Sequence, residues 1–228
     1  MSKSFRNFAL VAVLACAPVA AVHAADEELK ATPIIFEAQH MNNTAEGDEL
    51  VYDFARTVSN EEMLGKGFKD KITLKVAAVK DGKRSLDLQI YTGERARDLQ
   101  KMTDMTINPM FIVTMQQAVA SFRSMSGGDF PYLKNRFTKN MDNKSSVQKV
   151  KIDYKGQILD AYRIDVEPFK DDPNVDRMRG YDVSTFEFII SPSVPGELVE
   201  ALSTIKSSTQ GSPSFEERTT LAGYGGLK

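Results

Sequence analysis

Tryptophan is absent from this sequence of 228 residues, histidine occurs twice and cysteine once, and each scarcity excludes a class of chemistry. Cys16 has no partner in the chain, so no intrachain disulfide can staple the fold. A domain of about 200 residues buries enough apolar surface to manage without one, unlike secreted domains below about 80 residues. His23 and His40 cannot complete the usual Cys and His set of a zinc site, which takes four such ligands. A Ser-His-Asp triad would have to draw its base from His40, and no nucleophile motif accompanies that residue. A basic excess is missing as well: 29 Lys and Arg stand against 31 Asp and Glu, a formal charge of −2. Nucleic-acid surfaces depend on dense Lys and Arg for counterion release, so no nucleic-acid partner is expected. No metal and no cofactor is expected either.

Long apolar runs are confined to the first residues. Lys3 and Arg6 precede an uncharged stretch from Phe8 to Ala17, then Pro18 and the small residues Ala20, Ala21, Val22, His23 and Ala24. This is the three-part layout of a secretory signal peptide. Its apolar core is about half the roughly 20 residues that span a bilayer, so residues 1–24 are expected to be cut off, leaving Ala25 first in a periplasmic protein. A competing pattern overlaps it: Val13, Leu14, Ala15 and Cys16 resemble a bacterial lipobox, which would leave a chain lipid-anchored through Cys16. Arg6 leaves that pattern a short core. Removing residues 1–24 takes two of the 29 basic side chains and none of the 31 acidic ones, so the formal charge moves from −2 to −4.

Two calcium-like and acid-pair features fail on inspection. Asp172, Asn174 and Asp176 alternate oxygen ligands as a calcium loop does, but Arg177 stands where the loop needs Gly and Val183 where it needs a bidentate Glu. The segment is expected to be a turn built on Asp172-Pro173-Asn174. Asp165 and Glu167 share a strand face, yet a carboxylate hydrolase needs acids on two elements facing across a cleft. That reading stays a minor one.

Periodicity supplies the fold class. Ile34 to Gln39 and Glu49 to Val58 read as strands, the second with Leu50, Tyr52, Phe54 and Arg56 alternating with Val51, Asp53, Ala55 and Thr57. Lys71 to Val79 and Arg84 to Tyr91 flank Asp81-Gly82, a hairpin signal. A charged stretch, Glu94 to Asp104, follows. Asn108-Pro109 opens a helix that carries Phe111, Met115, Ala118, Val119, Phe122 and Met125 on one face, and Gly127-Gly128 closes it. A second helix is expected from Pro131 to Met141. Val147 to Tyr154 and Ile158 to Glu167 form another hairpin across Lys155-Gly156, and Val183 to Ser191 reads as a buried strand. Leu198, Val199, Leu202 and Ile205 fit a short amphipathic helix. The Ser-, Thr- and Gly-rich residues 206–228 show no sustained period and are expected to be a flexible tail. The expectation is one α+β domain over residues 25–205, an antiparallel sheet with a helix pair on one face.

Methionine is the compositional oddity: Met102, Met105, Met110, Met115 and Met125 crowd in and around the first helix. Flexible thioethers suit a surface that adapts to an irregular apolar guest, and equally well fill a gap between sheet and helix. In export and element order, from about Pro33 to Ser191, the chain resembles the half-barrel of periplasmic lipoprotein carriers of the Lol type. That resemblance implies a concave face binding acyl chains or lipoprotein lipids, with no cofactor. The leading expectation is a periplasmic binding or carrier protein for a lipid-like ligand, with Phe111, Met115, Val119, Phe122 and Met125 as its apolar binding face. The alternative is an envelope assembly or interaction protein without a small ligand.

Overall fold

The computed structural model describes residues 29–228, so the expected leader, its expected cleavage site and Cys16 lie outside the described residues. Strict alternation builds the first sheet half. In β1 (Glu49–Val58), β2 (Phe68–Lys80) and β3 (Lys83–Ile90), the buried positions include Leu50, Tyr52, Phe54, Ile72, Leu74, Leu86 and Leu88. A short helical turn, α1 (Glu61–Leu64), joins β1 to β2, with Asn60 Oδ1 accepting from the Met63 amide. Asp81 and Gly82, at φ of 50° and 76°, make the left-handed pair that a tight two-residue hairpin requires. Lys155 and Gly156 repeat it at 53° and 79°, between β5 (Ser145–Tyr154) and β6 (Gln157–Val166).

The remaining strands are β4 (Gln100–Met105), β7 (Thr185–Ile190), β8 (Leu198–Ile205), β9 (Phe215–Leu221) and β10 (Tyr224–Leu227). They join in one open 10-stranded sheet, ordered β10-β5-β6-β7-β8-β9-β1-β2-β3-β4. Every pairing is antiparallel. The architecture is the α+β antiparallel sheet with helices expected from the periodicity, and its open sheet is consistent with a half-barrel.

Two helices sit on the sheet. α2 (Met110–Ser126) starts where Asn108 Oδ1 accepts from the Met110 amide at 3.0 Å, and ends at Gly127 with φ 78°. The same Asn108 donates from Nδ2 to Gly196 O and Tyr52 Oη, at 2.8 and 3.0 Å, so the cap also ties the helix start to the sheet. A Cβ at Gly196 would lie 2.8 Å from that Nδ2 and 2.5 Å from Leu50 Cδ2; only glycine lets the β7-β8 turn come this close. α3 (Phe130–Asn143) is capped by Asp129, which accepts from the Tyr132 amide. α2 packs on β8 and α3, and α3 reaches β5. Between helices and sheet lies a core rich in rings, Phe111, Phe122, Phe137, Phe169, Phe186 and Phe188 among them. Among the described residues no helix is long and apolar enough to cross a membrane.

Three expectations are corrected, and the charged stretch gains an element. Residues 34–39 do not form a strand: Pro33 opens a π-helical turn, Pro33–Glu37, because its fixed φ suits a helical start and its missing N–H cannot serve a ladder. The charged stretch 94–104 contributes an edge strand, β4, whose exposed positions explain its polarity. Leu198 to Ile205 is strand β8, not a helix. It is buried on both faces near the sheet's middle, and a strand so placed loses alternation and mimics a helical run. Residues 206–228 are not a flexible tail but carry β9 and β10. β9 pairs with both β8 and β1, and its polar sequence escaped notice because only Phe215 and Leu221, at its two ends, are apolar core residues.

Candidate functional site

Sheet register assembles the most distinctive site. On the face toward α2, Arg56 of β1 stands opposite Phe68 of β2 and opposite Glu217 of β9, so an aromatic ring, a guanidinium and a carboxylate form one row. Tyr91, just beyond β3 at φ 63°, turns its ring to Phe54 at 5.0 Å and to Phe68 at 5.7 Å. Across from this row, α2 presents Val113, Gln116, Gln117, Ala120 and Ser121. Between them lies a cleft of about 320 Å³, which Ile90, Arg97 and Gln100 also line.

Two hydrogen bonds latch α2 to the sheet wall. Ser121 Oγ donates to Glu217 Oε2 at 2.8 Å, and Gln117 Nε2 donates to Tyr91 Oη at 3.3 Å. Arg56 Nη1 pairs with Glu217 Oε1 at 3.4 Å, with the Glu217 side chain 10% exposed. Burial pushes the Glu217 carboxyl above its ordinary range; the Ser121 hydrogen bond and the charges of Arg56 and Arg97 oppose that rise without cancelling it. Burial, with Glu217 adding to it, pushes the Tyr91 phenol up to about 12. Among the described residues Glu217 is the one carboxylate lining the cleft, whereas acid-pair hydrolysis uses two.

The expected binding face lies elsewhere on the helix. Phe111 is fully buried, 4.5 Å from the His40 ring and 6.3 Å from Phe188. Phe122 is stacked on Phe169 at 3.8 Å. Val119 and Met125 are buried, and Met115 is half-buried beside Val119 and Phe137 at a crevice of only about 30 Å³ between α2 and α3. Not one of the five lines the larger cleft. The residues that do are Val113, Gln116, Gln117, Ala120 and Ser121, spaced i, i+3, i+4, i+7 and i+8; this is a helix face in its own right. The cleft also had a signal in β1, where Arg56 continues an otherwise apolar alternation.

Two other hollows have different chemistry. A groove of about 630 Å³ beside β6 and β7 holds Lys144, Arg163, Asp165, Glu167, Lys170 and Glu187. Arg163 pairs there with Asp165 and Glu187, Lys170 with Glu167, and Lys144 reaches Asp171, so its charges are compensated within the protein. A hollow of about 400 Å³ lies at the α2-α3 turn, against Tyr132, Leu133 and Met178. Beside it, the Asp172 carboxylate accepts from Tyr132 Oη, Arg136 Nε and the Asn174 amide. Its oxygens are thus spent on protein donors, as a turn anchor's are. Burial pushes the Asp172 carboxyl up, but these three donors outweigh it and hold the group below its ordinary range.

No protein-family model matches the chain, and no curated protein matches it. Among solved structures, the lipoprotein LppX of Mycobacterium tuberculosis aligns at 10% identity and a TM-score of 0.28, over 78% of this chain and 86% of that one. A domain described as an outer membrane lipoprotein-sorting protein, from Vibrio parahaemolyticus, aligns at 12% identity and a TM-score of 0.16, over 81% and 86%. Superpositions this loose add nothing to the reading of the site, which rests on its own geometry.

Proposed function

We propose that this is an exported binding or carrier protein for an apolar or lipid-like ligand, and that the guest lies in the cleft between α2 and β1 to β3. The cleft itself carries the reading. Its volume of about 320 Å³ falls within the roughly 300–1,000 Å³ of small-molecule sites, which are mostly apolar with a few placed polar groups. Phe68, Ile90, Tyr91 and Val113 supply the apolar walls, and Arg56, Glu217 and the glutamines supply the polar groups. The face formed by Phe111, Val119, Phe122 and Met125 supports the cleft from behind as core.

A delipidated sample titrated with a fluorescent fatty-acid probe tests the reading. Saturable binding by the wild type, lost in an Ala120→Phe variant that fills the cleft, is the expected result; no saturable binding by the wild type would overturn it. In the same preparation, intact mass should show a periplasmic chain beginning at Ala25, whereas a diacyl addition on Cys16 would reverse the choice of processing route. An interaction protein without a small ligand is the second reading, and β4 as an open, exposed sheet edge favours it. Lys101 and Asp104 on that strand weigh against pairing with another chain, since charges on an edge are a common guard.

A further inference from the structure

We infer that the guest of the α2 cleft is a single-chain amphiphile with an anionic head, a carboxylate or a phosphate, held at the cleft mouth by Arg97. This rests on the reading of the cleft as a site for an apolar guest, and it follows from how the cleft's charges are already engaged. Three rings in this region each carry a guanidinium. Arg95 Cζ lies 4.7 Å from the centroid of Phe68, Arg97 Cζ 5.5 Å from that of Tyr91, and Arg56 Cζ 4.3 Å from that of Phe215. Ring faces attract cations, and these faces are taken by the protein's own arginines, so a cationic guest finds them occupied.

The carboxylates do not restore a cationic preference. Glu217 is shared between Arg56 and Ser121. Asp70, whose charge acts on Tyr91, spends Oδ1 on the Lys71 amide and on both the amide and hydroxyl of Thr92. Arg97 makes no ion pair among the described residues. It is exposed at the rim, where its planar donors can take a carboxylate or phosphate from the side while an alkyl chain lies along Phe68, Ile90 and Val113.

The test uses the full mature chain and three dansyl-labelled probes of one chain length: a fatty acid, its methyl ester and the corresponding alkylammonium. The acid should bind at least about tenfold tighter than the ester, as expected for a charge-assisted hydrogen bond, and the ammonium weakest. Arg97→Gln, on an exposed side chain whose loss leaves the core intact, should bring the acid to the ester's affinity and leave the ester unmoved. Equal binding of acid and ester by the wild type, or equal weakening of both by Arg97→Gln, would overturn the inference while leaving the apolar cleft standing. Failure of every probe to bind would overturn the cleft reading and this inference with it. Competition separates the sources of the anion: lysophosphatidate should displace the acid probe, and displacement by inorganic phosphate alone would show a free-anion site instead.

Discussion

Replacing Phe122 by Ala separates the two faces of α2. The ring has no exposure and stacks on Phe169 at 3.8 Å; Phe169 in turn meets Phe137 and Phe186 edge-on at 6.4 and 6.2 Å. Phe to Ala in a core costs about 3–5 kcal/mol, least where the site can collapse. Collapse is opposed here, because the neighbouring rings hold one another, and the stacked pair itself adds roughly 0.5–1.5 kcal/mol beyond burial. The expected loss is therefore in the upper half of the range, about 4 kcal/mol. For a domain of this size each kcal/mol moves Tm by about 2–4 °C, so the variant should melt roughly 8–16 °C lower. Urea unfolding followed by circular dichroism gives the free energy, and the fluorescent fatty-acid titration on the folded fraction should remain close to wild type. The Ala120→Phe variant, altered on the cleft face, should do the reverse: wild-type stability and lost binding. A Phe122→Ala loss below about 1.5 kcal/mol, together with weakened probe binding, would refute the reasoning, since it would place Phe122 in contact with the guest.

Glu217→Gln should change the pH profile of stability. The folded carboxyl titrates above its ordinary value of 4.5, so the folded state holds the proton longer and its contribution is full below pH 4.5 and lost as pH rises through the folded value. Unfolding free energies measured from pH 4 to pH 8 should therefore move in favour of Glu217→Gln as pH rises; a wild-type curve parallel to the variant's would contradict the burial of this group. Arg136→Met removes the partner of an Asp172 side chain with no exposure and should cost about 3–5 kcal/mol. Asp172 has the opposite sign, stabilising above 3.8 and losing that contribution as pH falls through its lowered value, which Tyr132, Asn174 and Arg136 together set, so the acid-side loss of wild type should be reduced in Arg136→Met. A chain ending at residue 205 loses β9, the partner of both β8 and β1, and should show no cooperative urea transition; a sharp transition would restore the tail as dispensable.

What was legible in the sequence follows from where each segment sits in the sheet. β1 to β3 each present one face to the core and alternate cleanly, and two hairpins announce themselves through Asp81-Gly82 and Lys155-Gly156. α2 was legible at both ends because Asn108 and Gly127 are local signals that need no tertiary context. β8 and β9 were not, since β8 is buried on both faces and β9 places Glu217 and Thr219 on the inner face between its apolar ends. The candidate site suffered the same way. Its charged row exists only through the pairing of residues 56 and 217, which no local period reveals, and the apolar side of α2, expected as the ligand face, is engaged in core packing.

That division of α2 bears on why the methionines crowd near it. Met110 is fully buried and Met125 nearly so, while Met102 and Met105 of β4 pack half-exposed against the core from the sheet edge. They flank the cleft's supports instead of lining it. At an open sheet edge and at the ends of a helix, unbranched thioethers fill irregular gaps with little strain. The Ser121-Glu217 and Gln117-Tyr91 hydrogen bonds tie one face of α2 to the cleft wall, while Phe111, Ala118, Val119 and Phe122 hold the same helix through the core.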